Sequence, residues 1–197
     1  MIQFAKEHNS AEKLDYRTVD IMDSKTTKDM KNQYDHIFAT CMDHLIPDTR
    51  SFVSTLHALL KPEGQLFIIT LPDNFFKRSL DKQFQNEKWI KYKPQQPIYT
   101  EYTTNSIQYL TTILQNTGFE VNKCQYDNQF FTTKDLEGFS RALIDMFLQL
   151  QLLSADLLED FSADLVQECK KQCKLIAEPN KYDIPFDVLT WIATKIT

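Results

Sequence analysis

Three glycines, Gly64, Gly118 and Gly138, are all that the 197 residues contain, and none precedes position 64. A backbone that wraps closely round a phosphate or a nucleotide needs glycine, because a Cβ blocks the required dihedrals and the close approach. No G-x-G-x-x-G and no P-loop occurs anywhere in the chain. A nucleotide-like cofactor would therefore have to be held by something other than a glycine-rich turn of this sequence.

The chain is otherwise that of a globular protein. It is 42% hydrophobic and 25% charged, enough to bury one core, or a core with a small cap, in a single domain spanning 1–197. A net charge of −5 argues against nucleic acid, whose phosphates need a surplus of Lys and Arg on one face. No apolar run approaches the ~18 residues of a membrane span. The N-terminus lacks the basic-then-apolar pattern of a signal peptide. Four cysteines (Cys41, Cys124, Cys169, Cys173) suit free thiols in a reducing, cytoplasmic compartment. Cys169 and Cys173 stand four apart on one predicted helix, but two ligands without a second pair do not make a metal site, so no metal is expected.

Periodicity sets the order of elements. Residues 1–13 read as a helix, Tyr16–Ile21 as a short strand and His36–Cys41 as a buried strand. Phe52, Val53, Leu56, Leu59 and Leu60 make a helical stripe. Pro62-Glu63-Gly64 is a turn, and Gln65–Leu71 has the continuous apolar run of a strand covered on both faces. Residues 72–102 carry Pro72, Pro94 and Pro97 among Lys, Gln and aromatics, and read as a cap excursion. Thr104–Asn116 reads as a helix closed by Gly118. Phe119–Cys124 alternates as a strand, with Asp127-Asn128 turning a hairpin into Gln129–Thr132. Residues 134–197 read as C-terminal helices, and Phe186–Ile196 closes the chain. Strands alternating with helices indicate an α/β layered sheet.

The segment Tyr34-Asp35-His36-Ile37-Phe38-Ala39-Thr40-Cys41-Met42-Asp43-His44-Leu45, followed by Leu59-Leu60-Lys61-Pro62-Glu63-Gly64, resembles a class I S-adenosylmethionine-dependent methyltransferase. The likeness is nearest to the small-molecule carboxyl O-methyltransferases of the juvenile hormone acid and trans-aconitate type. It covers most of the chain, with Lys88–Tyr92, Gly118–Val121 and Phe130-Phe131 similar to the family's cap and final strands. The resemblance implies a Rossmann-like sheet, partial because the first two strands, the glycine loop and the acidic ribose contact are missing, with a terminal antiparallel hairpin and a helical cap. Met1–Ala5 is similar to the helix that follows the missing second strand. Glu63 stands where the family carries a glycine, and Leu45 where a Trp is common.

Carried over residue by residue, the resemblance assigns S-adenosylmethionine to Asp20, Ile21, Ala39 and Thr40, with Met1 as a further adenine contact. His44 becomes the catalytic residue that orients a substrate carboxylate, with Trp89 and Tyr92, and with them Tyr99 and Tyr102, roofing the substrate. The expected activity is O-methylation of a small carboxylic acid. The alternative is a cofactor-free relic of the fold that acts through protein partners. Because the family's missing strands are central, Tyr16–Ile21 would stand roughly 14 Å from His36–Cys41 at ~4.8 Å per strand. The expectation is therefore a truncated chain, an abnormally docked first segment, or an oligomer or partner covering the open sheet edge.

Overall fold

The computed structural model describes residues 2–42, 46, 48–72, 75–94, 102, 106–146, 153–176 and 181–196. Its centre is a mixed sheet. Strand β1 (Tyr34–Thr40) pairs in parallel with β2 (Leu60–Thr70), β2 pairs antiparallel with β5 (Tyr182–Lys195), and β5 pairs antiparallel with β3 (Phe119–Thr133). The two-residue β4 (Lys174–Leu175) also pairs with β5. Helix α3 (Thr49–Leu59) connects β1 to β2, and α5 (Ser106–Thr117) precedes β3.

One face of this sheet is closed. Phe52, Val53 and Leu56 from α3, with Leu110, Ile113 and Leu114 from α5, pack on Ala39, Leu66, Ile68, Leu189, Trp191 and Ala193. All six strand residues fall on one side because side chains alternate along a strand. The spacing of the α3 and α5 residues is the three-and-four pattern of a helix with one buried stripe. Phe67 and Ile69, on the other side of β2, are only partly buried. The apolar run of β2 thus does not mark a strand covered on both faces. It marks one with a closed face and an open one.

A second core lies beyond the sheet. Helices α4 (Phe75–Gln83), α6 (Leu136–Met146) and α7 (Ala155–Gln172) enclose Phe75, Phe76, Leu80, Phe84, Trp89, Phe161, Leu165 and Cys169. Ile184 of β5 joins this core, so the protruding part of the β3–β5 ribbon is its floor. The Gln83 side-chain amide donates to the Phe161 carbonyl at 2.8 Å, tying α4 to α7 inside it.

Three expectations are corrected. Tyr16–Ile21 forms no strand: Asp20 turns the chain there, accepting the Met22 N–H at 2.9 Å, and Asp23 caps α2 (Ser24–Thr27) through the Lys25 N–H. Short carboxylates that capture nearby N–H groups outcompete a strand that has no partner. Among the described residues the sheet therefore ends at β1, with no gap inside it. Second, Asp127-Asn128 is not a turn. Both lie within β3, opposite Val188 and Asp187, and Asp187 accepts from Tyr126 Oη at 2.7 Å and from the Asn128 side-chain amide. Third, Tyr182–Lys195 is strand, not helix. Leu189, Trp191 and Ala193 are its buried members at period two. The antiparallel hairpin expected at the end of the fold exists, but its strands are β3 and β5, with α6 and α7 inserted between them.

Two local features hold the β1–β2 junction. The Lys195 ammonium donates to the His57 carbonyl (2.9 Å), the Leu60 carbonyl (2.8 Å) and Asn32 Oδ1 (3.0 Å), so the end of β5 satisfies the C-terminal carbonyls of α3. Glu63 sits at φ 62°, the left-handed region that a side chain resists. That is where the related turns carry glycine. Gly64 beside it cannot be replaced: a Cβ would meet the Lys61 carbonyl at 2.9 Å and the Asp35 carbonyl at 3.1 Å.

Replacing Lys195 by Met should lower stability by about 2 kcal/mol in urea unfolding, since three acceptors lose a charged donor. Glu63→Gly should raise stability by about 1 kcal/mol in the same assay, and Gly64→Ala should lower it. His57 packs edge-on against Phe119 at 5.0 Å, and burial, then the Lys195 charge, hold its pKa below the usual 6.5. The unfolded chain thus binds the extra proton first, so stability should fall as pH drops below about 6.5. His57→Asn should flatten that part of a pH–stability profile.

Candidate functional site

In a sheet with parallel strands, ligands collect at the carboxyl ends, where the chain leaves for a helix. Here that place is the end of β1. Ala39 is 3% exposed and faces α3 and α5, whereas Thr40 is exposed on the opposite face. Cys41 then adopts φ 54° while its N–H donates to the Ile69 carbonyl at 2.7 Å, the last rung between the strands. A non-glycine residue held in the left-handed region turns the chain sharply away from the sheet. His44, with Asp43 and Leu45 beside it, lies outside the described residues, as do Met1 and Tyr99.

Helix α3 begins a few residues on. Asp48 accepts the Arg50 and Ser51 N–H groups at 3.1 Å each, and the Ser51 hydroxyl. The Ser51 hydroxyl, then its backbone N–H, hold the Asp48 carboxyl below its ordinary range. The donors at this helix start are thus already engaged. Next to it, Thr49 Oγ1 and Tyr102 Oη are 3.1 Å apart in a buried pair. The Tyr102 ring meets Trp191 edge-on at 5.9 Å, and the fully buried Trp191 Nε1 has no hydrogen-bond partner. The Thr49–Tyr102–Trp191 group was not legible as a unit. Its members are 53 and 89 residues apart in sequence order, and only the sheet brings them together.

The residues assigned to the adenine side are spread differently. Asp20 is exposed, with one oxygen occupied by its own Met22 N–H. Ile21 is partly buried and, like Ile37 and Met42, packs against the first core. Of the residues assigned to a substrate roof, Trp89 and Tyr92 lie in the second core, whereas Tyr102 lies in the first. Trp89 is 1% exposed, its indole N–H donates to Asp164 Oδ2 at 2.9 Å, and Lys88 stacks on its ring. Tyr92 packs against the same cluster, 6.0 Å from Trp89. Both line the interior of the cap. Cys169 is buried there too, and burial with the neighbouring Cys169 thiol pushes Cys173 up to about 12. Among the described residues no group of three or more His, Cys, Asp or Glu side chains can hold a metal. Nor, among the described residues, is any helix long and apolar enough to cross a membrane.

Comparison with known proteins fits this geometry. Residues 1–68 match the methyltransferase domain family. Juvenile hormone acid O-methyltransferase of Bombyx mori is 24% identical over 173 residues, covering 84% of this chain and 60% of that protein. The chain thus spans three-fifths of the length of the curated relative it matches. Among solved structures, a provisionally named methyltransferase of Bacillus halodurans C-125 superposes with a TM-score of 0.56 at 16% identity, over all of this chain and 79% of that one. The YcgJ protein of Bacillus subtilis gives 0.54 at 12%, over 99% and 76%. The [4+2]-cyclase SpnF gives 0.51 at 12%, over 99% and 60%. The chain has the class I S-adenosylmethionine-dependent methyltransferase fold, with the described strands in the order β1-β2-β5-β3. S-adenosylmethionine is the cofactor these likenesses support.

The described residues fit one wall of such a cofactor site and not the whole. Ile21, Ile37 and Met42 add apolar surface to the first core, and Asp20 stands exposed beside Ile21. A close-approach cradle for the amino-acid end of the cofactor is not among them, because the three glycines sit at the β2 bulge, the end of α5 and the first turn of α6.

Two measurements check these placements. Trp89→Ala should cost about 3–5 kcal/mol in denaturant unfolding, the penalty of a large core deletion. Under native conditions Ellman's reagent should modify the exposed Cys41 quickly and leave Cys169 and Cys173 untouched until the chain unfolds.

Proposed function

We propose that this chain supplies the substrate side of an S-adenosylmethionine-dependent methyltransferase that forms the methyl ester of a small carboxylic acid. The observation that carries the reading is the parallel β1–β2 pair, with its sharp exit at Cys41 leading into the segment of His44. The likeness to juvenile hormone acid O-methyltransferase supports the carboxylic acid as acceptor. When bound, the cofactor supplies a methyl group on a sulfonium, which a carboxylate already ionised at neutral pH accepts without a general base. Catalysis then rests on placement. Thr40, exposed at the end of β1, would border the place where the two reactants meet, with Ala39 behind it in the core. His44 would orient the acceptor carboxylate by hydrogen bond or charge. The four free thiols support a reducing, cytoplasmic setting for this reading.

A second reading is kept by a specific observation. No glycine lies among residues 1–63, and the outer edge of β1 carries no strand among the described residues. A cofactor-free protein that works through partners fits both facts, and SpnF illustrates that the fold does not fix the chemistry.

Purified from its native host with whatever accompanies it, the protein should convert carboxylic acids to esters 14 Da heavier. His44→Ala should lower kcat/KM about 10–100-fold without moving Tm. Absence of S-adenosylhomocysteine binding to that preparation at millimolar ligand in calorimetry would replace this reading with the second.

A further inference from the structure

Among the described residues two buried side-chain polar atoms lack a hydrogen-bond partner, His57 Nε2 and Trp191 Nε1. A neutral imidazole can carry its proton on the other ring nitrogen, so His57 Nε2 need not be a donor. The indole has no such choice, because its N–H only donates. Trp191 is fully buried, so this donor has left water and gained nothing in return. Native proteins pair nearly all their buried polar groups, since an unpaired one carries its whole desolvation cost. A donor at this depth calls for an acceptor.

The place of Trp191 says which kind. Ala39, Ile68, Trp191 and Cys124 form one row across β1, β2, β5 and β3. Ala39 is the last inward residue of β1, so the row lies one residue short of the strand end where the acceptor carboxylate is proposed to sit. Trp191 stands two strand spacings along the row, about 10 Å from Ala39. The Tyr102 ring packs edge-on against it at 5.9 Å, and Tyr102 is tied to the start of α3 through Thr49 Oγ1 at 3.1 Å. Leu66, Leu110, Ile113 and Leu189, buried in the same core, carry no charge. A carboxylate beside Trp191 would be buried without a countercharge, a cost that a neutral oxygen does not incur. A ligand spanning the row would therefore keep its ionised end at the end of β1 and bring a neutral oxygen to the indole.

We propose that Trp191 is a specificity-determining residue whose indole N–H binds a neutral oxygen, a ketone or hydroxyl, carried by the acid about 10 Å from its carboxylate. Tyr102, 4% exposed, is the side chain that moves aside to admit it. The position of the carboxylate rests on the carboxyl-methylation reading, while the bond at Trp191 is read without any methyl transfer.

The test follows the two indole N–H signals of the full chain by NMR, with the tryptophan nitrogens isotopically labelled. Trp89, which donates to Asp164 at 2.9 Å, supplies the reference for a bonded indole. The ligands are decanoic acid and its analogue with a ketone on the last carbon but one. The analogue should move the Trp191 signal downfield toward that of Trp89 and bind about tenfold more tightly than decanoic acid. Trp191→Phe should erase that preference; if this variant does not fold, the shift in the unaltered chain decides alone. A Trp191 signal that neither acid moves, or that both move equally, would overturn the proposal. So would a water cross-peak on that N–H that persists when the analogue is bound. Ester formation is measured separately. Esters without a response at Trp191 would leave the methyltransferase reading standing and remove this one, and a response without esters would do the reverse.

Discussion

The rest of the structure hangs on β5, because one strand near the end of the chain satisfies two others at once. Its backbone bonds to β2 on one side through Gln65–Thr70 and to β3 on the other along almost its whole length. Its side chains Leu189, Trp191 and Ala193 fill the first core, and Ile184 fills the second. Lys195 then closes the C-terminal carbonyls of α3. Buried backbone groups must be paired. Without β5, the inner edge of β2 and all of β3 would be left unpaired, and the two cores would lose their common wall.

That dependence explains the division of labour across the molecule. The sheet core holds the β1 exit rigidly, so Cys41 can sit in a left-handed conformation that a looser frame would relax. The cap builds its own core around Trp89 and Phe161, floored by the β3–β5 ribbon. The open face and edge of β1 are the price of a sheet whose closed face uses all the helices the sheet region has.

Much of the fold was legible. The β1 and β2 strands, the α3 stripe and the α5 helix with its Gly118 cap follow from local pattern and stand in the structure, whereas Pro62-Glu63-Gly64, read as a turn, lies within β2, and His36–Cys41, read as a buried strand, is mostly exposed. Tyr16–Ile21 misled because a short strand-like run forms no strand where none stands beside it and Asp20 turns the chain. Asp127-Asn128 misled because a turn-prone pair also fits a strand when a neighbour such as Asp187 can bind its side chains. Of the proposed site, Ala39 and Thr40 lie at the strand end that the sequence indicated, while Trp89 lies inside the cap core. An aromatic beside lysines reads the same on a roof and in a core, and only its Asp164 partner, 75 residues away in sequence, separates the two.

The amino-acid sequence by itself determined the local elements that need no distant partner, the want of a glycine-rich cradle, and the likeness to one half of a methyltransferase sheet. Tertiary structure alone decided where the last strand goes, which face of β2 is closed, and that β1 is an edge. The physical reason is the range of the forces. Helical stripes, caps and turn dihedrals are set within a few residues, whereas strand pairing and face burial depend on groups more than a hundred residues away, as Gln65 and Thr194 are here.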